Sequence, residues 1–291
     1  MNQILILCFL FVTQNVFSQN TPGFKEDFNK PDLEYFSNGS TGTKALLKSN
    51  SGVKSSIEKE TNMLSFKLDT NDVAGAGRGP ELISNHFTHF GTYSARIKIP
   101  DARVLQPNVG AVVGYFTYHA DKTLGLSEID FEWLLADPNI IYVGTWTGQK
   151  GKLERIGRII NLKTGEILST SFRSNHDGIN HPFSGKQSKP RKLSKIEDYD
   201  ASARFHTYGF DWHSNRITWW LLHPKNGRKI VLSDYKGSSK GIPLHRSKYR
   251  MNFWHTNNWA VETNPKALEK PNYNFELEVD WMSYKPDKQV D

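Results

Sequence analysis

The chain has 291 residues, 37% hydrophobic and 12% aromatic, enough apolar material for one large core. Its formal net charge of +7 favours anionic partners, but no zinc finger, helix-turn-helix or aromatic RNA-binding pattern accompanies it, so nucleic acid is not an expected partner. One cysteine, Cys8, excludes an internal disulfide.

Residues 1–18 contain no Asp, Glu, Lys or Arg, and 4–12 form an apolar run too short to span a bilayer. Val16-Phe17-Ser18 follows at cleavage spacing, so this segment reads as a secretory signal peptide cut before Gln19, although no basic residue precedes the apolar run. The expectation is a secreted or periplasmic protein with one domain over 19–291 and no membrane partner. Cleavage would remove Cys8, and with it any thiolate metal site or cysteine nucleophile.

Helical periodicity is almost absent, and period-2 alternation recurs. After a Ser-, Thr-, Gly- and Lys-rich stretch at 39–62, expected to be loop, Leu64, Phe66 and Leu68 alternate with polar residues. Tyr93, Ala95, Ile97 and Ile99 do the same, as do Phe275, Leu277, Val279 and Trp281 near the end. Such patterns describe strands with one buried face. Residues 110–118 are apolar on both parities, so that strand is covered on both sides or lines a cleft. Segments 216–222 and 229–233 flank Pro224-Lys225-Asn226-Gly227, a hairpin signal. The basic, proline-containing stretch 175–203 reads as a long surface excursion. Together these features predict an all-β, two-sheet antiparallel sandwich.

Ser127-Glu128-Ile129-Asp130-Phe131-Glu132-Trp133 is the most informative segment. On a strand, Ile129, Phe131 and Trp133 share the core face, and Glu128, Asp130 and Glu132 share the other. Three aligned carboxylates repel one another and cost stability. Glycoside hydrolysis gives a reason to keep them, because it needs one carboxylate at the anomeric carbon and one acid at the leaving oxygen. A solvated edge strand or a calcium site would use the same residues.

With that triplet in place, the sequence resembles glycoside hydrolase family 16, the β-jelly-roll (concanavalin-like) endo-glycanases and transglycosylases. Residues 90–98 are similar to the family strand before the catalytic one, 127–132 to the family signature, and 205–212 and 251–254 to two later segments, in the family order. The resemblance covers roughly residues 24–285 and implies a nucleophile at Glu128, an acid/base at Glu132 and a tuning role for Asp130. The triplet lacks an extra residue, as in the lichenase, xyloglucan-active and fungal cell-wall branches.

The resemblance also implies sugar contacts from Glu81, Phe116, Tyr118, Trp146, Trp254 and Trp259. Asp280 matches an aspartate that helps hold a structural calcium in some members; no cofactor is required for the reaction. Departures fall at Ile83, where β-glucanases often place an arginine, at Gly144-Thr145 in place of an asparagine, and at the 224–227 turn.

The expected activity is retaining endo-hydrolysis of a polysaccharide by a monomer. Transglycosylation uses the same carboxylates, and a non-catalytic lectin-like sandwich would keep the tryptophans without needing the acids. A uronate lyase would need a Tyr, His and Arg constellation that spacing does not assemble. The basic stretch, with Arg173, His176 and Lys186, extends the expected substrates to sulfated or uronate-bearing glycans.

Overall fold

The computed structural model describes residues 21–39, 44–49, 62–68, 79–174, 180–182, 189–237, 241–257 and 268–288; the leader, His176, Lys186 and Trp259 lie outside them. Among the described residues every long regular element is a strand. In chain order these are β1 (Phe24–Glu26), β2 (Phe36–Asn38), β3 (Leu46–Ser49), β4 (Asn62–Leu68), β5 (Glu81–Thr88), β6 (Gly91–Lys98), β7 (Ala111–Asp121), β8 (Gly125–Leu134) and β9 (Ile140–Gly148). There follow β10 (Glu154–Asn161), β11 (Glu166–Ser174), β12 (Asn180–Pro182), β13 (His206–His213), β14 (Arg216–Leu222), β15 (Lys229–Lys236), β16 (Ser247–His255) and β17 (Phe275–Pro286).

These strands form two antiparallel sheets. One runs β15-β14-β13-β6-β17-β4-β3, with β1 also pairing β17; the other runs β12-β11-β10-β9-β8-β7-β16-β5-β2. The expected two-sheet sandwich is therefore present. The alternating residues supply the layer between the sheets: Tyr93, Ala95 and Ile97 of β6 and Phe275, Leu277 and Val279 of β17 meet Ile129, Phe131 and Trp133 of β8 in one core. The 224–227 turn joins β14 to β15, with Leu222 opposite Lys229.

Three of the core aromatics place their polar tips on backbone carbonyls, which offsets the cost of burying a donor. Tyr249 Oη donates to Ser94 O at 3.0 Å, and Trp212 Nε1 donates to Pro243 O at 2.9 Å. Trp219 of β14 crosses the sandwich to donate its indole N–H to Asp130 O at 3.0 Å, tying the opposite sheet to the backbone of the acidic strand.

Two expectations need correction. The 39–62 stretch is not all loop: Leu46–Ser49 pairs with β4 as an edge strand, with Leu47 packed against the core. Ala45-Leu46-Leu47 is too short an apolar run to stand out within polar composition. Nor is 175–203 only a surface excursion, because Leu193, Ile196, Tyr199 and Ala201 join the main core. Their irregular spacing follows neither a strand nor a helix, so periodicity does not reveal them. Arg158 secures this segment from below, donating Nη1 to Pro190 O at 2.9 Å and Leu232 O at 3.1 Å.

Candidate active site

β8 runs without a register shift against either neighbour. Alternation therefore puts Glu128, Asp130 and Glu132 on the face away from the core. Glu128 lies opposite Tyr118 of β7 and Trp146 of β9; Asp130 lies opposite Phe116 and Gly144; Glu132 lies opposite Gly114 and Tyr142. The sheet thus brings three of the sequence-expected sugar contacts, Phe116, Tyr118 and Trp146, around one row of acids. Trp254 belongs to the same face, one row beyond Glu132, where its Cα partner is Val112.

The face is closed at one end. Val112, Leu134, Tyr142 and Ile159 make a second small buried cluster beyond Glu132, against which Trp254 and Leu268 pack. Around Glu128, Tyr118, Trp146, Lys248 and Arg250 are half-buried, as are Glu132 and Trp254 at the other end of the row. Trp254 packs against the small cluster, while Trp146 and Tyr118 flank Glu128. The apolar-on-both-parities strand at 110–118 is explained by this arrangement, since one face of β7 enters the main core while the other sends Val112 to the small cluster and Phe116 and Tyr118 to the row of acids.

Two glycines let polar neighbours lean over the acids. A Cβ on Gly144 would lie 2.1 Å from Tyr142 Oη, and one on Gly114 would lie 2.4 Å from Asn252 Oδ1. Any side chain at these positions would expel Tyr142 or Asn252 from beside Asp130 and Glu132. The departure noted at Gly144 therefore has a local reason.

Glu81 is in the row of Glu132, reached through Asn252 and Gly114. Its carboxylate accepts from Arg250 Nη1 at 2.8 Å. Arg250 is the Cα partner of Ile83 and of Phe116, and its guanidinium lies 5.2 Å from the Tyr118 ring centroid. The cation missing at position 83 is thus present on the adjoining strand. Sequence reading missed Arg250, Arg155, Tyr142 and Asn252. Parity alone could have placed Tyr142 beside Glu132, two residues from Gly144; the arginines required the register.

The electrostatics follow from this crowding. Burial pushes the Glu128 carboxyl up to about 8; repulsion from Glu132 adds to this and Arg250 opposes it. Burial also holds Asp130 well above the usual carboxylate range, with Glu128 and Glu132 pushing the same way and Arg155 pulling back. Burial and mutual repulsion therefore make Glu128 and Asp130 bind protons more tightly than isolated carboxyls do.

A linkage effect is expected. Between about pH 4.5, the ordinary glutamate value, and about pH 8, the folded chain keeps a proton on Glu128 that the unfolded chain has lost. The stabilisation is complete below that window and is lost as pH rises through it. Thermal melts should show wild type losing stability across the window more steeply than Glu128→Gln; parallel curves would count against this proton.

A calcium at Asp280 fits poorly. Asp280 is on β17 of the other sheet and accepts from Arg96 Nη1 at 2.5 Å. No group of three His, Cys, Asp or Glu able to hold a metal occurs among the described residues. Calcium needs six to eight oxygens, and here it would also have to displace a guanidinium.

Comparison with known proteins supports the family read from the motifs. The model for "Glycosyl hydrolases family 16" matches residues 166–283, a stretch that begins at β11 and leaves out the acidic strand. A "Xylanase/beta-glucanase" of Ruminococcus flavefaciens is 24% identical over 177 residues, 60% of this chain; the match spans only 16% of that protein. The fold is that of a prokaryotic β-1,3-1,4-glucanase (lichenase) from a mouse hindgut metagenome, at TM-score 0.54 and 19% identity, covering 92% of this chain and all of that one. A Bacillus licheniformis β-glucanase gives TM-score 0.52 at 19% identity, with the same coverage of both chains. Residues 166–283 therefore carry the sequence pattern of family 16, and the chain shares the fold of these β-glucanases.

Proposed function

We propose, with family 16 as the premise, that this chain is a secreted retaining endo-β-glycanase acting on a polysaccharide. The observation that carries the proposal is the unshifted β8 strand, which aligns Glu128, Asp130 and Glu132 on one half-open face beside Tyr118 and Trp146. In the proposed reaction Glu128, in its ionised form, attacks the anomeric carbon while Glu132, in its protonated form, protonates the departing sugar oxygen. Glu132 then takes a proton from water, which releases the sugar from Glu128. Asp130 shares a proton with its neighbours and keeps their proton affinities apart.

Aromatic faces at Tyr118, Phe116 and Trp146 suit the apolar faces of sugar rings. Across the strands, Tyr118 on β7 and Trp146 on β9 stand two strand spacings apart, about 9.6 Å, with Glu128 between them. Transglycosylation is the second reading; it differs only in the acceptor. The test is to follow the anomeric proton during cleavage of mixed-linkage glucan, xyloglucan, laminarin, agar and carrageenan. A first product of retained configuration is expected from at least one polymer. An inverted first product would reject double displacement, and no reducing ends from any polymer, with glycan binding intact, would favour a lectin. Lengthened products on adding an oligosaccharide acceptor would identify transfer.

A further inference from the structure

Arg155 is a buried charge on the acidic face that the mechanism above leaves without a role. It sits on β10 opposite Trp146, which is itself opposite Glu128, so Arg155, Trp146 and Glu128 form one row across three strands. Two strand spacings, about 9.6 Å, separate the outer backbones, a gap that a glutamate and an arginine span from opposite sides. The residue is only 3% exposed, so little of it can meet a substrate. Its guanidinium carbon lies 5.2 Å from the Trp146 ring centroid and 6.0 Å from that of Tyr142. Opposite Tyr142 is Glu132.

Two costs meet here. A buried guanidinium is unfavourable without negative charge nearby, and three aligned carboxylates are unfavourable without positive charge. Each is the remedy for the other. We propose that Arg155 is a positioning residue for the acidic strand: it packs against Trp146 and holds negative charge on the Glu128–Asp130–Glu132 row, so setting the pH range in which one carboxyl is ionised while another keeps its proton. The groups facing Asp130 are Glu128 and Glu132 on its own strand, Tyr142 on β9, Arg155 on β10 and, across β7, Arg250 with its partner Glu81. Of the two arginines, Arg155 is the one whose charge draws Asp130 down, while Arg250 acts on Glu128. The triplet is thus bracketed by one cation on each side.

The kinetic consequence rests on the glycosidase reading; the protonation consequence does not. The experiment is a carboxyl-carbon NMR titration of wild type, Arg155→Gln and Arg155→Lys, with pH profiles of kcat/KM alongside. Removing the charge in Arg155→Gln should raise an apparent carboxyl pKa of the row by about one unit, a tenfold gain in proton affinity. Both limbs of the rate profile should move to higher pH, and Arg155→Lys should bring titration and profile back. Unchanged carboxyl titration in folded Arg155→Gln overturns the proposal, as does a lysine variant that shifts as far as glutamine. If the glutamine variant fails to fold, Arg155→Lys decides: its titration should match wild type, and a shift of a full unit would overturn the proposal. A wild-type protein that cleaves no glycan would reject the glycosidase reading, and the titration would still judge Arg155.

Discussion

Replacing Glu128 with glutamine should lower kcat/KM by at least about 10⁴-fold, the scale on which a covalent nucleophile acts. The amide keeps the shape of the side chain and its place opposite Tyr118 and Trp146, but it cannot form the glycosyl ester. Oligosaccharide binding should survive, because the aromatic neighbours are untouched. The fold should survive as well, because the amide keeps the carboxyl's shape and removes a charge that burial disfavours. Initial rates and calorimetric binding on one preparation make the comparison. Activity above about one hundredth of wild type, in protein free of deamidation, would move the nucleophile elsewhere.

Glu132 should separate the two half-reactions. Glu132→Ala should lower cleavage of a natural glycan by about 10²- to 10⁴-fold, the range of general acid–base catalysis. An aryl glycoside with an acidic phenol leaves without a proton, so its first step should run near the wild-type rate. The glycosyl–enzyme should then accumulate, because no base remains to activate water, and a phenol burst should appear. Added azide needs no such base and should restore turnover, giving a β-glycosyl azide. An α-azide would mean that the removed residue was the nucleophile and that the roles of Glu128 and Glu132 are exchanged. A small residue at 132 should be tolerated, since its cross-strand neighbours include Gly114, over which Asn252 already leans.

How far the sequence leads differs from element to element. β4, β6, β8 and β17 are legible because each buries one face, and a one-faced strand must alternate. β7 is harder: one face enters the main core and the other carries Val112, Phe116 and Tyr118 along the acidic face, so its pattern is a plain apolar run. β3 and the segment from Leu193 to Ala201 escape because a few apolar side chains at uneven intervals can be buried by tertiary contact alone. The acids on β8 are legible as a set, since their spacing is local. Arg155 and Arg250 are not, because nothing near them in sequence distinguishes them from the other cations of a basic chain.

The sequence by itself determined the class of fold and which face of β8 carries the acids, since alternation along an extended chain is a local property of the backbone. Only the tertiary structure decided what stands beside those acids. The order β10-β9-β8-β7-β16-β5 and its registers choose the neighbours, and a slip of one residue in any pairing would turn the neighbouring side chains to the opposite face. That register puts one arginine on each side of three crowded carboxyls, and the number of protons they hold is a property of the assembled sheet.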